Sequence, residues 1–130
     1  MSYYGGNSAD GGDRNPHMMV IEACQLADAD IDFKKFDQDG DGEVDNVFVF
    51  FAGRDEAEGG GDDCIWSHSW YIRDGAGRNL VLDGVRINRY ACSSELRLSA
   101  NNQPAMASIG TFCHEYAHTL GLPDLYDTDY

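Results

Sequence analysis

The chain has 130 residues, enough for one compact domain and not comfortably for two. Nine Lys and Arg stand against 23 Asp and Glu, a net charge of −14 with an isoelectric point near 4.3. That balance argues against nucleic acid and against an anionic membrane surface, since both are held by Lys and Arg. A 42% apolar share still leaves enough for a core, so acidity here does not mean disorder. A divalent cation is the first use to consider for the excess carboxylates.

Met1 to Asn7 carries neither a basic nor an apolar region, so no signal peptide is expected there. No run approaches the ~18 apolar residues of a spanning helix. Residues 1–16 are rich in Gly, Asn, Asp and Ser and read as loop. From His17 to about Ala29 the apolar residues Met18, Met19, Ile21, Cys24 and Leu26 predict an amphipathic helix, with His17 a helix-start residue. Asp28 to Asp45 is an acidic loop with a short helical turn at Asp32–Phe36. Val47–Ala52 predicts a strand buried on both faces.

A Gly and acid loop, 53–63, separates it from a second strand over Ile65–Ile72. A turn at Asp74–Gly77 and a third segment, Val85–Ala91, form a hairpin or neighbouring strands. A helix is predicted from about Ala105 to Leu120, with Pro104 near its start and Gly121 at its C-terminal cap. Helices flanking a run of strands make this a mixed α+β domain.

The last helix carries His114-Glu115-Tyr116-Ala117-His118, an HExxH. Residues four apart lie on one helical face, so both imidazoles can reach one ion, and zinc suits neutral imidazole. Glu115 can take the proton of an attacking water. The motif continues to Gly121 and Asp124 as HExxHxxGxxD. Gly121 permits the backbone turn that could return Asp124 as third ligand. Ile109, Cys113, Tyr116, Ala117 and Leu120 form an apolar stripe expected to pack on the sheet, with Thr111, His114, Glu115 and His118 on the other side.

Asp37-Gln38-Asp39-Gly40-Asp41-Gly42-Glu43-Val44-Asp45 is a second candidate metal site. Against a calcium-binding helix-loop-helix, Asp37, Asp39, Asp41 and Asp45 fall at positions one, three, five and nine, and Glu43 offers its carbonyl. The twelfth position is Phe48, not Glu, and a strand follows, so the loop resembles the calcium pattern without its bidentate acid. Crowding these carboxylates without a cation is repulsive, which favours a structural Ca²⁺ over a solvated turn.

Four cysteines, Cys24, Cys64, Cys92 and Cys113, allow three disulfide pairings or none. Cys64 stands four before His68, faintly a zinc pair, but a buried or bonded Cys is the stronger reading. His68, between Trp66 and Trp70, reads first as a structural histidine and second as a substrate contact or ligand. Tyr126 and Tyr130 could polarise a carbonyl, with aromatic packing the default.

His114 to Asp127, HEYAHTLGLPDLYD, resembles the active-site segment of the immune inhibitor A-like bacterial zinc metallopeptidases, relatives of the metzincins with Asp as third ligand. The resemblance extends through Asp37–Gly53, Ile65–His68 and Ser94-Glu95-Leu96, and covers about Tyr3 to the C-terminus. It implies a zincin-like mixed sheet with a backing helix and an active-site helix. Zinc would sit on His114, His118 and Asp124, with Glu115 as base. A protein or peptide substrate would pair with an edge strand, for which Val85–Ala91 is the candidate. It further implies a secreted bacterial endopeptidase. Metzincin-like enzymes place a Met-turn after the third ligand, whereas Met1, Met18, Met19 and Met106 all precede it. Residues 1–130 are therefore expected to be the upper part of a catalytic domain, retaining zinc binding ahead of full activity. Two rivals stay open: a calcium-stabilised extracellular binding module with an incomplete zinc site, and a zinc hydrolase acting on a non-peptide bond.

Overall fold

A computed structural model describes residues 3–9 and 11–124. Its spine is strand β5 (Arg89–Leu98), against which β1 (Val47–Arg54) runs parallel on one side. On the other side two short strands run antiparallel: β2 (His68–Tyr71) against its first half and β6 (Pro104–Met106) against its end. A separate hairpin joins β3 (Leu80–Leu82) to β4 (Val85–Ile87). Its turn is Asp83-Gly84, with φ of 50° and 81°. Two positive φ angles are what a two-residue turn between twisted strands demands, and Asp-Gly supplies them at least cost. Among the described residues no helix is long and apolar enough to cross a membrane.

Side chains alternate across a strand, so β1 and β5 each address two layers. Tyr90 and Cys92 join Val47 and Val49 on the face that meets α1 (Pro16–Ala27), whose Val20, Ile21 and Cys24 are buried there. Pro16 suits the first helical turn, where a missing N–H costs nothing. Phe48 and Phe50, paired with Ala91 and Ser93, look the other way and meet Phe112 of α3 (Ile109–Thr119), with ring centroids 4.6 and 5.7 Å apart. The domain is thus helix, mixed sheet, helix, with the main core between α1 and β5. The α+β zincin-like architecture expected from the sequence is the one observed.

Several boundaries differ from the sequence expectation. Pro104–Met106 is not the start of the last helix but strand β6. The Ala107 N–H donates to the Glu95 carbonyl and extends that ladder, so the helix begins only at Ile109. Pro104 is tolerated as the first residue of a short edge strand. Val47–Ala52 is not buried on both faces: Phe50 is 61% exposed, and among the described residues β1 pairs only with β5, at the sheet's edge. Ile65–Ser67 is a lead-in rather than strand, with Ile65 and Ser67 buried and Trp66 exposed between them, and Ile72 opens the short helix α2 (Ile72–Ala76). Val85–Ala91 is broken at Asn88, whose carbonyl and side chain accept the N–H groups of Ile72 and Arg73. Its first half is β4, and its second half opens the central strand, so it is not the edge of the main sheet. The helical turn near Asp32 is the 3₁₀ segment Phe33–Phe36.

All four cysteines are free thiols. The Cys64 thiol donates to the Gly60 carbonyl at 3.1 Å, and it forms no pair with His68. Burial pushes the Cys24 thiol up to about 11 and Cys92 up to about 12, whereas Cys113 is exposed. A thiol-reactive dye at pH 8 should therefore label Cys113 in the native protein and reach Cys24 and Cys92 only after denaturant. Equal labelling rates for all three would contradict this burial. Ile87 is fully buried where the hairpin meets the core. Ile87→Ala should cost about 2–5 kcal/mol in urea unfolding, and a loss under ~1 kcal/mol would show that the site is loosely packed.

Candidate active site

Helix α3 crosses β5 and β2 on the face opposite α1. The sequence places the apolar stripe inward, and the structure corrects this. Ile109 is 76% and Leu120 66% exposed, and Cys113 and Tyr116 also lie outward. Glu115 and Thr119, one turn apart, are buried at 7% and 3%. The reason lies in the sheet. Beneath α3 it presents Ala91 and Ser93, small residues that admit a helix without asking for large apolar partners. Phe112 supplies the aromatic contact from α3 to Phe48 and Phe50.

His114 and His118 are each half-buried, with ring centroids 4.7 Å apart. Their Nε2 atoms stand 3.2 Å from each other. Each is also 3.2 Å from Asp124 Oδ1, so three potential donor atoms form an equilateral triangle. Tetrahedral zinc with bonds of about 2.0–2.1 Å separates its ligands by ~3.3 Å, so the triangle fits that ion with a fourth position open. The Nδ1–H of His118 donates to the Leu122 carbonyl at 2.9 Å, which leaves the Nε2 lone pair for the triangle. Asp124 arrives by a turn at Gly121, whose φ of 86° would strain any residue with a Cβ. Two hydrogen bonds close that turn, Gly121 N–H to the His118 carbonyl and Leu122 N–H to the Ala117 carbonyl.

Glu115 has a side-chain oxygen within 4.8 Å of both histidine donors. Burial raises its pKa, an effect opposed by the two histidines and reinforced by Asp124 and Asp55. A carboxylate so placed accepts a proton more readily than an exposed one.

The acidic loop is also partly assembled. Asp37, Asp39 and Asp41 bring carboxylate oxygens within 4.8 Å of one another. Asp37 accepts from the N–H groups of Gly40 and Gly42, and Asp41 from that of Glu43. The Glu43 carboxylate is turned away to Arg86 at 2.6 Å, and Asp45 accepts from Gln38 N–H. Asp39, Asp41, Glu43 and Asp45 line a hollow of about 250 Å³ together with Arg89.

His68 lies across the sheet from α3, in register with Cys92. Its Nδ1–H donates to the Trp66 carbonyl at 2.7 Å, and Nε2 accepts from the Tyr90 hydroxyl at 2.9 Å. Burial lowers its pKa and keeps it neutral, the pattern of a structural histidine. Tyr126 and Tyr130 lie outside the described residues. Three residues at the site escape sequence reasoning: Asn46, Arg89 and Thr119 meet at the C-terminal end of α3. No motif announces them, because their partners lie 73 and 30 residues apart.

Across residues 1–130 the chain matches the immune inhibitor A peptidase M6 catalytic domain. It is 33% identical to immune inhibitor A of Bacillus thuringiensis subsp. alesti over 149 residues, covering 98% of this chain and 21% of that protein. It is 38% identical to the pre-pro-metalloprotease PrtV of Vibrio cholerae serotype O1 over 152 residues, covering 99% of this chain and 16% of that protein. The chain spans at most about a fifth of the length of these relatives. The likeness runs the length of the chain rather than through one motif, and the chain belongs to the immune inhibitor A peptidase M6 family.

Proposed function

We propose that this domain is the zinc-binding part of a secreted bacterial metalloendopeptidase. The observation that carries the reading is the 3.2 Å triangle of His114, His118 and Asp124 with Glu115 beside it. These three would hold the ion, and Glu115 would be the general base. Bound zinc supplies the Lewis acid that acidifies water and polarises a peptide carbonyl. Glu115 then takes one proton from the water as its oxygen bonds to the carbonyl carbon. As the C–N bond breaks, Glu115 returns that proton to the leaving amine. Its raised pKa suits both transfers. Extended peptide would pair with β2, whose only strand partner among the described residues is β5 and over which α3 lies. The Vibrio relative is named a pre-pro-metalloprotease, and export of this chain is proposed by analogy with that name.

The Asp37–Asp45 loop is proposed to hold a structural Ca²⁺ through Asp37, Asp39, Asp41 and Asp45 and the Glu43 carbonyl. The convergence of Asp37, Asp39 and Asp41 supports it. The Glu43 side chain, paired with Arg86, would not take part.

Glu115→Gln should leave zinc content at one equivalent while peptide hydrolysis falls about 10²–10⁴-fold, measured by elemental analysis and a fluorogenic peptide. Retained hydrolysis would remove Glu115 as base, and less than about half an equivalent of zinc in the parent would remove the metal reading. For calcium, a selective chelator should lower the unfolding midpoint relative to buffer holding Ca²⁺ at 100 times its Kd, a loss of about 2.7 kcal/mol. Coincident melting curves would sink the calcium assignment.

A further inference from the structure

The last carbonyls of an α-helix have no partner within it, and α3 ends in the middle of the proposed metal site. Its final turn can be accounted for group by group. The Tyr116 carbonyl accepts from the Thr119 hydroxyl at 2.7 Å. The Ala117 carbonyl accepts from the N–H groups of Leu120 and Leu122, and the His118 carbonyl from that of Gly121. The Thr119 carbonyl is satisfied from outside the helix, by the guanidinium of Arg89. The Thr119 hydroxyl is held from outside as well, accepting from Asn46 Nδ2 at 2.8 Å.

These two outside groups share an origin. Asn46 precedes Val47 and Arg89 precedes Tyr90, and Val47 and Tyr90 are register partners in the parallel pair β1 and β5. The N-terminal ends of two adjacent strands therefore grip one buried helix residue. That residue follows the ligand His118 and precedes the turn that delivers Asp124. Arg89 is itself held from two sides, its guanidinium standing 5.6 Å from the Tyr71 ring centre and bonding the Thr119 carbonyl, and it also borders the hollow of Asp39, Asp41 and Asp45. Its positive charge at the negative end of α3 adds to the hold. Asn46 Oδ1 is buried with no hydrogen-bond partner among the described residues. An unpaired buried acceptor is costly, so the asparagine is not there to satisfy itself. Its amide N–H serves Thr119.

We propose that Arg89 and Asn46 are positioning residues for the metal triangle: by clamping Thr119 to the sheet they fix the direction in which the chain leaves α3, and so the meeting of His118 with Asp124. The inference rests on the zinc reading above and concerns affinity for the ion, not the chemistry that follows. Groups bonded directly to a metal ligand are worth about 10–100-fold in metal affinity, and Arg89 and Asn46 act one residue further out, through Thr119, which puts the expected effect at the low end of that range.

The test is the zinc dissociation constant of the purified, folded chain, by competition with a chromophoric chelator, for the parent, Arg89→Met, Arg89→Lys and Asn46→Ala. Both Arg89→Met and Asn46→Ala should bind zinc about 10-fold more weakly, with Arg89→Lys recovering part of the loss because it keeps a charge and a donor. A purely structural role would lower the unfolding midpoint of the zinc-free protein and leave zinc affinity of the folded state unchanged. Affinities within about twofold of the parent for both Arg89→Met and Asn46→Ala would overturn the proposal, as would Arg89→Lys binding no better than Arg89→Met. Should Arg89→Met not fold, Asn46→Ala decides alone. A parent that binds no zinc overturns the metal reading itself and this inference with it, a result distinct from variants that match a zinc-binding parent.

Discussion

Two imidazole nitrogens and a carboxylate oxygen brought within 3.2 Å of one another repel unless a cation or proton stands among them. Nothing in a short peptide would hold that arrangement, and the domain is organised around doing so. The helix contributes the easiest part, since a spacing of four residues stacks His114 above His118. Asp124 is harder, because it must be carried back past the end of that helix. Gly121 makes the reversal sterically free, and the Leu122 carbonyl ties the turn to the ring it must face. None of this is useful unless the helix itself stays put, and that task falls to β5.

β5 is contacted along its length by every other element of the main sheet, and it separates two kinds of packing. Toward α1 it offers Tyr90 and Cys92 to an apolar core. Toward α3 it offers Ala91 and Ser93, which let the helix approach closely and leave room for a buried carboxylate. Glu115 is thereby buried beneath its own helix, and burial raises its pKa. Stability is drawn instead from the opposite layer, where Ile65, Ile72, Ile87 and Val20 are fully buried.

Local features of this design were open to reading in the sequence and non-local ones were not. HExxH, the glycine and the aspartate lie within eleven consecutive residues, so helical spacing and one turn were enough to anticipate their convergence. The same holds for α1 and for the turn at Phe33–Phe36. The hairpin is a different case: the turn expected at Asp74–Gly77 is the end of helix α2, with Gly77 at its C-cap, and the pairing of Leu80–Leu82 with Val85–Ile87 around Asp83-Gly84 was not anticipated, because Val85–Ala91 reads as one segment that Asn88 breaks without a glycine or proline. The inward face of α3 could not be read from apolar count, since the face that packs is chosen by Ala91 and Ser93, about twenty residues upstream. Strand β6 and the edge position of β1 follow from which partner a strand finds, and a single chain read in order carries no mark of that. Asn46 and Arg89 are the extreme case, two polar residues at the starts of two strands whose meaning appears only when the strands lie side by side.

The outward apolar face of α3 has a consequence for the molecule in bulk. Ile109, Leu120 and nearby Phe50 and Met106 are all exposed on a chain whose net charge is −14. At neutral pH, copies that approach face to face meet long-range repulsion before the adhesive surfaces can touch, so dispersion is sustained by charge and not by polarity of that face. As acidity nears the isoelectric point of 4.3 the repulsion disappears while the apolar face remains unchanged. Colloidal stability is thus coupled to the surplus of carboxylates, and salt, which shortens the reach of that repulsion to about 8 Å at physiological strength, weakens it without touching the fold.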